Sequence, residues 1–427
     1  MPMSIPEIYK LFLKHPRICT DSRHIVPDSL FFALKGPNFN GNAYAREALE
    51  KGAAYAILDE AEFAGNDRCV LVEDALECLQ ELGTHHRRQS KATVIALTGS
   101  NGKTTTKELI ARVLSHKYNT LSTTGNLNNH IGVPLTLLEL DGETEMAVIE
   151  MGANHQGEIG FLSRLAEPDY GYITNYGKAH LEGFGGVEGV IKGKSELYDY
   201  LLRAGKQVFL NADDPIQREK LEGYGKKIGF STSDPGFYQV ENLGASPYVT
   251  LQVEGVTIQT QLSGAYNFPN CAIAVLIGKH FKIPMPDIKE ALEGYVPENN
   301  RSQLVQKNDL QIMLDAYNAN PSSMEVALRH LAGLKVEKKI AILGDMFELG
   351  EASEREHQSI ADLGASLGID TLYLVGEAFS SIHTEAKQFR SFEELAASLK
   401  KQPIKGPATL LIKASRGMAL ERLLDYL

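Results

Sequence analysis

Residues 93–118 read TVIALTGSNGKTTTKELIARVLSHKY and combine three structural signals in a row. The apolar, β-branched run at 93–98 predicts a buried strand, the glycines that follow it predict a tight turn, and the remainder predicts a long helix. A buried strand, a glycine turn and a helix in this order open a doubly wound α/β domain. We therefore expect a parallel sheet that is covered by helices.

The glycine turn has the composition of a phosphate-binding loop. Glycines let backbone N–H groups converge on a phosphate, and the helix N-terminus adds the positive end of its dipole. The Lys103 ammonium suits β- and γ-phosphates, and the Thr104 hydroxyl suits Mg²⁺. The spacing G-x-x-G-K-T is shorter than the usual pattern, but the flanking strand and helix favour a nucleotide site over a plain turn with an exposed lysine. The predicted loop consists of Gly99, Ser100, Asn101, Gly102, Lys103, Thr104 and Thr105.

Outward from this loop, the chain divides into three predicted domains of the α/β class. Residues 1–83 hold short apolar runs between loops rich in Gly, Asn and Pro, and they predict a small α/β N-terminal domain. A polar stretch, THHRRQSKA (84–92), marks the first boundary, so the central domain covers 84–297. In the last domain, 298–427, strand and helix patterns alternate strictly and predict a second, Rossmann-like parallel sheet.

Two further patterns complete the fold prediction. The segment YVTLQVEGVTIQTQL (248–262) alternates apolar and polar residues around Glu254-Gly255, which predicts a small antiparallel β element beside the central parallel sheet. At the end of the chain, RGMALERLLDYL (416–427) has the apolar spacing of a helix.

Composition and charge narrow the function classes. The chain of 427 residues is 43% hydrophobic and 23% charged, which is typical of a globular protein with packed cores. Its net charge of −11 disfavours a broad nucleic-acid surface. The four cysteines fit neither a disulfide framework nor a zinc site, no apolar run approaches the roughly 18 residues that span a bilayer, and MPMSIPEIYKLFLKH lacks the layout of a signal peptide. We expect a cytoplasmic protein without nucleic-acid partners or membrane insertion.

Many segments, in one order along nearly the whole chain, resemble the Mur ligases, ATP-dependent enzymes that build the peptide of bacterial cell-wall precursors. The resemblance implies three domains, with the UDP end of the substrate on the first and ATP between the central and C-terminal ones. The similar segments are TDSR (20–23), LFFALKGPNFNGNAY (30–44), ALTGSNGKTTTK (96–107), TGNLNNHIGVPLTLL (124–138), IEMGANHQGEI (149–159), AHLEGFGG (179–186), NADD (211–214), LDAYNANPSSM (314–324), LGDMFELG (343–350) and KASRGMALE (413–421).

The segments YNANPSSM and LGDMFELG resemble the branch of this family that joins D-alanyl-D-alanine to UDP-N-acetylmuramoyl-tripeptide through an acyl phosphate. The family is mostly monomeric. Two alternatives remain: a sibling ligase that adds a single amino acid, or glutamates to folate, and a phosphate-loop switch that hydrolyses nucleotide to change shape. The chain lacks the Asp-Asn-Pro-Arg signature of the diaminopimelate-adding sibling, and NADD (211–214) is not the Asn-Lys-x-Asp reader of a GTPase.

Three residues are candidate ligands for metal ions. Glu150 ends the strand AVIE, and the carboxyl ends of such strands face the ligand crevice, where a carboxylate can hold the Mg²⁺ of ATP or cap a loop. Without the resemblance, the local sequence favours a polar surface position for His180. It favours a solvated position on an amphipathic helix for Lys194. The resemblance instead implies that His180 binds a second Mg²⁺ ion and that Lys194, carbamylated by CO₂, holds it too. Carbamylation needs a neutral amine, so the Lys194 pKa must lie far below roughly 10.4.

Amides and side chains of the C-terminal domain complete the predicted sites. Asn267 and Asn270 share one helix face and could read the adenine edge, and Asn267 alternatively caps the helix. The resemblance implies phosphate contact for Arg301 and ribose contact for Asp315. Tyr317, a further predicted cofactor contact, lies in the same strand-to-helix loop as Asn320, which could simply cap the next helix. The resemblance implies substrate contacts for Ser22 and Arg23 near the uridine diphosphate and for Lys413, Ser415 and Arg416 near the incoming amine. Asn128 is a further predicted substrate contact.

Overall fold

A four-stranded, a seven-stranded and a six-stranded sheet follow one another along the chain in the computed structural model, which describes residues 2–297 and 300–427. A three-stranded antiparallel sheet and a two-stranded ribbon complete the β structure of these residues. The predicted boundary between 297 and 298 falls beside residues 298 and 299, which lie outside the described part. Within the described residues, no helix is long and apolar enough to cross a bilayer.

The first sheet is parallel throughout, with strand order β1-β2-β5-β6. The elements of this part are α1 (Ile5–Lys14), β1 (Arg17–Cys19), β2 (Ser29–Phe32), β3 (Lys35–Gly36), β4 (Phe39–Asn40), α2 (Ala45–Glu50), β5 (Tyr55–Leu58), β6 (Cys69–Leu71) and α3 (Ala75–Gln89).

Helix α3 continues through the polar stretch at 84–92 as far as Gln89, so the predicted boundary between 83 and 84 falls inside a helix. The polar residues belong to an amphipathic helix whose inner face is buried. Arg87 is itself buried, where its guanidinium donates to the carbonyl of Ala166 at 3.1 Å and to the Asp169 carboxylate at 2.8 Å. A single charged side chain thus ties the end of the helix to the central sheet, which polarity alone could not reveal.

The central sheet is also parallel throughout, in the order β13-β12-β11-β10-β7-β9-β8. The strand and helix predicted at 93–118 are confirmed as β7 and α4, and the predicted hairpin as β15 and β16. The elements are β7 (Thr93–Thr98), α4 (Lys103–Ser115), β8 (Thr120–Ser122), α5 (Gly132–Leu138), β9 (Met146–Glu150), α6 (Glu158–Ala166), β10 (Tyr170–Ile173), α7 (Leu181–Phe184), α8 (Val187–Arg203), β11 (Gln207–Asn211), α9 (Pro215–Lys220), β12 (Lys227–Ser231), β13 (Tyr238–Gln239), β14 (Glu241–Ala245), β15 (Tyr248–Val253), β16 (Val256–Ser263), α10 (Phe268–His280) and α11 (Met285–Glu293).

Strand β7 lies where the chain reverses its direction of travel through the central sheet. From β7 the chain builds β8 and β9 on one side and then β10 to β13 on the other. In open α/β sheets, ligands bind outside the carboxyl ends of the strands at such a reversal. The carboxyl ends of β7, β9 and β10 therefore mark the expected crevice.

The C-terminal sheet has the order β17-β18-β22-β19-β20-β21. Its edge strand β17 is antiparallel to β18, so the prediction of a purely parallel sheet is wrong at this edge. The elements are β17 (Gln303–Lys307), β18 (Leu310–Asp315), α12 (Pro321–Gly333), β19 (Lys339–Gly344), α13 (Ser353–Ser366), β20 (Thr371–Val375), α14 (Glu377–Ser380), β21 (Lys387–Phe389), α15 (Phe392–Lys401) and β22 (Ala408–Lys413).

The α-helix predicted at 416–427 is wrong. The segment forms two 3₁₀ turns, Arg416–Met418 and Leu420–Tyr426, separated by Ala419 in the left-handed region at φ 47°. The buried Leu420 and Leu423 are three residues apart, which suits the three-residue turn of a 3₁₀-helix.

Candidate active site

A cavity of about 840 Å³ lies at the carboxyl edge of the central sheet and is lined from the other side by the C-terminal domain. Most predicted site residues meet in it. Outside its lining are Gly99, Lys194, Ser22, Arg23, Ser415 and Arg416. The predicted residues that line it are Ser100, Asn101, Gly102, Lys103, Thr104, Thr105, Asn128, Glu150, His180, Asn267, Asn270, Arg301, Asp315, Tyr317 and Lys413.

The loop between β7 and α4 needs its glycines. Gly99 has φ 144°, and a Cβ there would lie 1.9 Å from Thr174 Oγ1. Gly102 has φ 79° at the start of α4, and a Cβ there would lie 2.9 Å from Asn270 Oδ1. The tight backbone therefore presents the first N–H groups of α4 to the cavity, as an anion site requires.

The Lys103 side chain folds back on the loop instead of standing exposed. Its ammonium donates to the carbonyl oxygens of Gly99 at 2.9 Å and Ser100 at 3.3 Å. Burial lowers the pKa of Lys103, the nearby Arg301 adds to this effect, and the Glu150 carboxylate opposes it. Two cations and one anion thus lie close together at the phosphate end of the cavity.

Glu150, at the end of β9, carries an oxygen that lacks a partner. The side chain is 2% exposed, its Oε1 accepts from Asn128 Nδ2 at 2.8 Å, and its Oε2 is buried without a hydrogen bond. Asn128, which was predicted to contact substrate, therefore holds the carboxylate in place. A buried, unsatisfied carboxylate oxygen beside a phosphate loop fits a Mg²⁺ ion, as does the Thr104 hydroxyl at the start of α4.

The described residues bring together no group of three or more His, Cys, Asp or Glu side chains that could hold a metal ion by itself. Mg²⁺ usually binds one or two carboxylates and completes its shell with phosphate oxygens and water. The donor set of Thr104 and Glu150 has this composition.

His180, predicted as a ligand of the second ion, lies at the start of α7 in the left-handed region, φ 52°. Its Nδ1 contacts the Glu348 carboxylate, which comes from the C-terminal domain. Hydrogen bonding to His180 lowers the pKa of Glu348. The LGDMFELG segment therefore reaches the central domain at the edge of the cavity.

Lys194 is fully buried in helix α8, at 0% exposure. Its Nζ donates to the carbonyl of Ala153, a cavity residue, at 3.1 Å and lies 4.8 Å from the centroid of the Phe184 ring. Burial and the Lys103 ammonium hold the pKa of Lys194 well below its usual range. A neutral, buried amine just behind the cavity wall is the form that carbamylation needs.

The two predicted adenine readers bond each other. Asn270 Nδ2 donates to Asn267 Oδ1 at 2.9 Å, and Asn270 Oδ1 accepts from Thr106 in α4 at 3.0 Å. Asn267 Nδ2 donates to the Ser263 carbonyl at 2.8 Å, and the side chain makes no capping hydrogen bond to α10. The pair ties α10 to the phosphate-loop helix and still lines the cavity.

On the C-terminal side of the cavity, the Arg301 guanidinium stacks 3.6 Å from the centroid of the Tyr317 ring, and its buried Nε has no hydrogen-bond partner among residues 2–297 and 300–427. Asp315 and Lys413 form an ion pair, and Lys413 also donates to the carbonyl of Asn318 at 3.1 Å. Lys413 therefore lines the cavity with Asp315, whereas Ser415 and Arg416, which were predicted to lie with Lys413 near the incoming amine, do not line it.

The remaining predicted contacts lie outside the cavity. Ser22 and Arg23 belong to the loop after β1, where exposed Arg23 pairs with Asp21. Ser415 is buried and accepts from the backbone N–H of Phe347 at 3.0 Å. Arg416 pairs with Glu421 and lies 5.7 Å from the Tyr317 ring centroid.

Sequence reasoning missed two residues that shape the loop from β10. Thr174 Oγ1 donates to the carbonyl of Asn101 at 2.6 Å, and Asn175 Oδ1 accepts from the backbone N–H of Asn101 at 3.1 Å. Both follow the carboxyl end of β10, the neighbour of β7, so the strand order would have found them. That order was not visible in the sequence.

Lys413→Met should destabilise the fold. The Lys413 side chain is 3% exposed and that of Asp315 is 18% exposed, so the variant leaves a mostly buried carboxylate without its cation. We expect the free energy of unfolding to fall by about 3 kcal/mol. Denaturant titration measures this change, and exposed Lys401→Met is the control. Equal stability of the two variants would contradict the importance of the pair.

Three family profiles match the chain in order. The Mur ligase family catalytic domain matches residues 17–87, the Mur ligase middle domain matches 97–278, and the Mur ligase glutamate ligase domain matches 300–419. The chain belongs to the Mur ligase family. The expectation of family and three-part α/β architecture is thereby confirmed.

This Mur ligase is similar over nearly its whole length to relatives that share one enzyme name. It is 34% identical to the UDP-N-acetylmuramoyl-tripeptide–D-alanyl-D-alanine ligase of Bacillus subtilis, over 99% of this chain and 97% of the relative. It is also 34% identical to the Escherichia coli ligase of the same name, over 96% and 93% of the two chains.

Solved structures agree with the sequence relatives. The Mur ligase superposes on MurF from Acinetobacter baumannii with a TM-score of 0.86 at 31% identity, covering 100% of this chain and 98% of the other. For MurF from Thermotoga maritima, solved in complex with ADP, the TM-score is 0.84 at 27% identity, with 97% of each chain covered.

Proposed function

We propose that this Mur ligase joins D-alanyl-D-alanine to UDP-N-acetylmuramoyl-tripeptide, with conversion of ATP to ADP and phosphate. The observation that carries the proposal is the shared cavity, where Lys103, Arg301 and the unpartnered oxygen of Glu150 converge between two domains. Full-length similarity to ligases of this name, one structure of which holds ADP, supports the same conclusion.

In the first chemical step two negatively charged groups, the carboxylate of the tripeptide and the triphosphate of ATP, must approach each other. The tripeptide carboxylate attacks the γ-phosphorus of ATP, the bond from that phosphorus to the bridging oxygen breaks, and ADP leaves. In this step Lys103 exchanges its loop carbonyls for phosphate oxygens, and Arg301 offers a buried N–H without a partner. Fixed cations at this position stabilise the charge that develops as the phosphoryl group is transferred.

Two Mg²⁺ ions are part of the proposal. When bound, they would neutralise phosphate charge and polarise the transferring group. Thr104 and Glu150 would hold the first, with Asn128 fixing the carboxylate through its amide. His180 and carbamylated Lys194 would hold the second.

Lys194 supplies the missing anion in this scheme. Its neutral amine attacks CO₂: a nitrogen–carbon bond forms, one carbon–oxygen π bond opens to give the carboxylate, and one N–H proton leaves, so the neutral amine becomes an anionic carbamate. The low pKa of the buried amine favours this step. The position behind Ala153 would direct the new carboxylate toward the cavity wall.

In the second chemical step, the neutral amine of D-alanyl-D-alanine attacks the carbonyl carbon of the acyl phosphate. The carbon–oxygen bond to the phosphate breaks, the nitrogen gives up one proton, and the amide and phosphate are the products. An acyl phosphate hydrolyses readily in water, so the cavity must be covered while it exists. Contacts such as His180 with Glu348 already bring the C-terminal domain over the central one.

The remaining assignments complete the proposal. Asn267, Asn270 and Asp315 would hold the adenosine, Ser22 and Arg23 the uridine diphosphate, and Ser415 and Arg416 the incoming dipeptide. We also propose a monomeric cytoplasmic enzyme without nucleic-acid partners or membrane insertion, and domains at 1–83, 84–297 and 298–427.

Phosphate release tests the function directly. With ATP and Mg²⁺, the protein should release phosphate rapidly only when both UDP-N-acetylmuramoyl-tripeptide and D-alanyl-D-alanine are present, because the acyl phosphate otherwise has no acceptor in a covered site. We expect a rate at least about 100-fold above that of either substrate alone. Tripeptides ending in lysine and in diaminopimelate, compared in one assay, identify the third residue.

Two outcomes would contradict the proposal. Equal phosphate release without an acceptor would indicate an ATPase or switch. Brisk use of a free amino acid in place of the dipeptide would indicate a sibling ligase.

A further inference from the structure

The side chain of Asn101 connects the phosphate loop to the C-terminal domain. Its backbone is held from the central sheet, since Thr174 Oγ1 and Asn175 Nδ2 both donate to its carbonyl, at 2.6 and 2.9 Å. Its Oδ1 accepts from Asn320 Nδ2 at 2.7 Å, across 219 positions of sequence. The loop that is expected to bind phosphate therefore carries one direct hydrogen bond to the start of α12.

Asn320 uses both ends of its amide. Its Oδ1 accepts from the backbone N–H of Ser323 at 2.9 Å and caps α12, which confirms the capping interpretation. A backbone N–H can only donate, so the oxygen must face the helix and the NH₂ group must face Asn101. The buried side chain thus has a second role that the cap does not require.

Neighbouring contacts also hold the N-terminus of α12 against the central domain. The backbone N–H of Lys178 donates to Ser322 Oγ at 2.7 Å, and the Lys178 ammonium pairs with the buried Glu356 carboxylate at 3.2 Å. A Cβ at Gly177 would lie 2.8 Å from Asn101 Nδ2 and 3.1 Å from Ser322 Cβ. The fit is close enough that a shift of α12 would break the hydrogen bond to Asn101.

We propose that Asn320 is a positioning residue that holds the C-terminal domain on the phosphate loop through its bond to Asn101. This inference rests on the proposed ligase function. The bond keeps Arg301 and Asp315 across the cavity from Lys103, and it breaks when the C-terminal domain swings away. Turnover then requires the hydrogen bond between the Asn101 and Asn320 side chains in addition to the helix cap.

Two substitutions separate the donor from the cap. Asn320→Ser keeps a hydroxyl that caps helices as well as asparagine does, but it is too short to reach Asn101. Asn101→Ala removes the acceptor and leaves α12 untouched. With saturating substrates, we expect each variant to lower kcat about five- to tenfold, as loss of one hydrogen bond between domains predicts. The double variant should be no slower than the slower single variant.

Additional readouts distinguish positioning from general damage. Asn320→Asp should recover most of the rate, because its carboxylate accepts from the Asn101 amide once that amide turns over. Fluorescence transfer between labels on the two domains should report a more open molecule for Asn320→Ser, and a non-hydrolysable ATP analogue should bind this variant more weakly than wild type, because Arg301 and Asp315 are then farther from Lys103. Ser391→Ala removes the cap of α15 away from this contact and should leave turnover unchanged.

Unchanged kcat in both single variants, or multiplied losses in the double variant, would overturn the inference. If Asn320→Ser does not fold, Asn101→Ala and the Asn320→Asp variant still carry the test. A wild-type protein that fails to ligate the dipeptide would contradict the proposed function instead, so the two failures are distinguishable.

Discussion

Lys103→Ala should lower ATP-dependent ligation about 1000-fold, because the variant removes the ammonium at the phosphate end of the cavity. That ammonium bonds carbonyls of its own loop, at Gly99 and Ser100. Its loss should therefore cost little stability. Steady-state phosphate release with both substrates measures the rate, and thermal unfolding checks the fold.

Lys91→Ala is the matched control for this experiment. Lys91 is exposed just before β7 and lines no part of the cavity. The control should retain full activity. A Lys103→Ala variant with near-normal turnover would contradict the nucleotide site itself.

Lys194→Ala should reduce turnover at least about 100-fold, and short carboxylic acids such as formate or acetate should restore part of it. The substitution empties the space of a buried side chain, which a small carboxylate can enter to supply the lost negative charge. Rates measured against acid concentration should rise and saturate.

Two variants give this prediction its controls. Lys192→Ala changes an exposed lysine on the same helix and should behave as wild type. Glu150→Gln should lose activity without recovery, because an amide fills the place that an added acid would need. Full activity of Lys194→Ala without added acid would contradict the carbamate and the second ion together.

Much of the fold was predictable because the apolar patterns are long and regular. The strand Thr93–Thr98, the hairpin around Glu254 and three helices of the C-terminal domain, Pro321–Gly333, Ser353–Ser366 and Phe392–Lys401, followed from periodicity. Strand β17 was missed because its residues are only partly buried at a sheet edge, so QLVQK shows no apolar period. The turn at Ala419 depends on a left-handed backbone conformation, which the sequence does not indicate because the residue is not a glycine.

The candidate site was predictable where chemistry and local order coincide. The phosphate loop and Glu150 each follow a strand, so their place at the carboxyl edge could be inferred. The contacts of Asn101 with Asn320, and of His180 with Glu348, join residues from two domains. Such pairs depend on how folded domains meet, and that information is absent from any short segment.

Helix α3 has a consequence for which substrates can react. It starts under the first sheet and ends with Arg87 locked to Ala166 and Asp169, and Leu138 of the central domain packs within the apolar core of the first sheet. The first sheet and the phosphate loop are therefore fixed parts of one body.

In the proposed function the uridine diphosphate is held on the first sheet, so this body would fix the distance from that group to the γ-phosphate. An extended residue spans about 3.5 Å, so a muramoyl-dipeptide would leave its carboxylate that far from the γ-phosphate, and a chain one residue too long would have to buckle. The proposal therefore implies that a rigid separation selects the length of the peptide before chemistry begins.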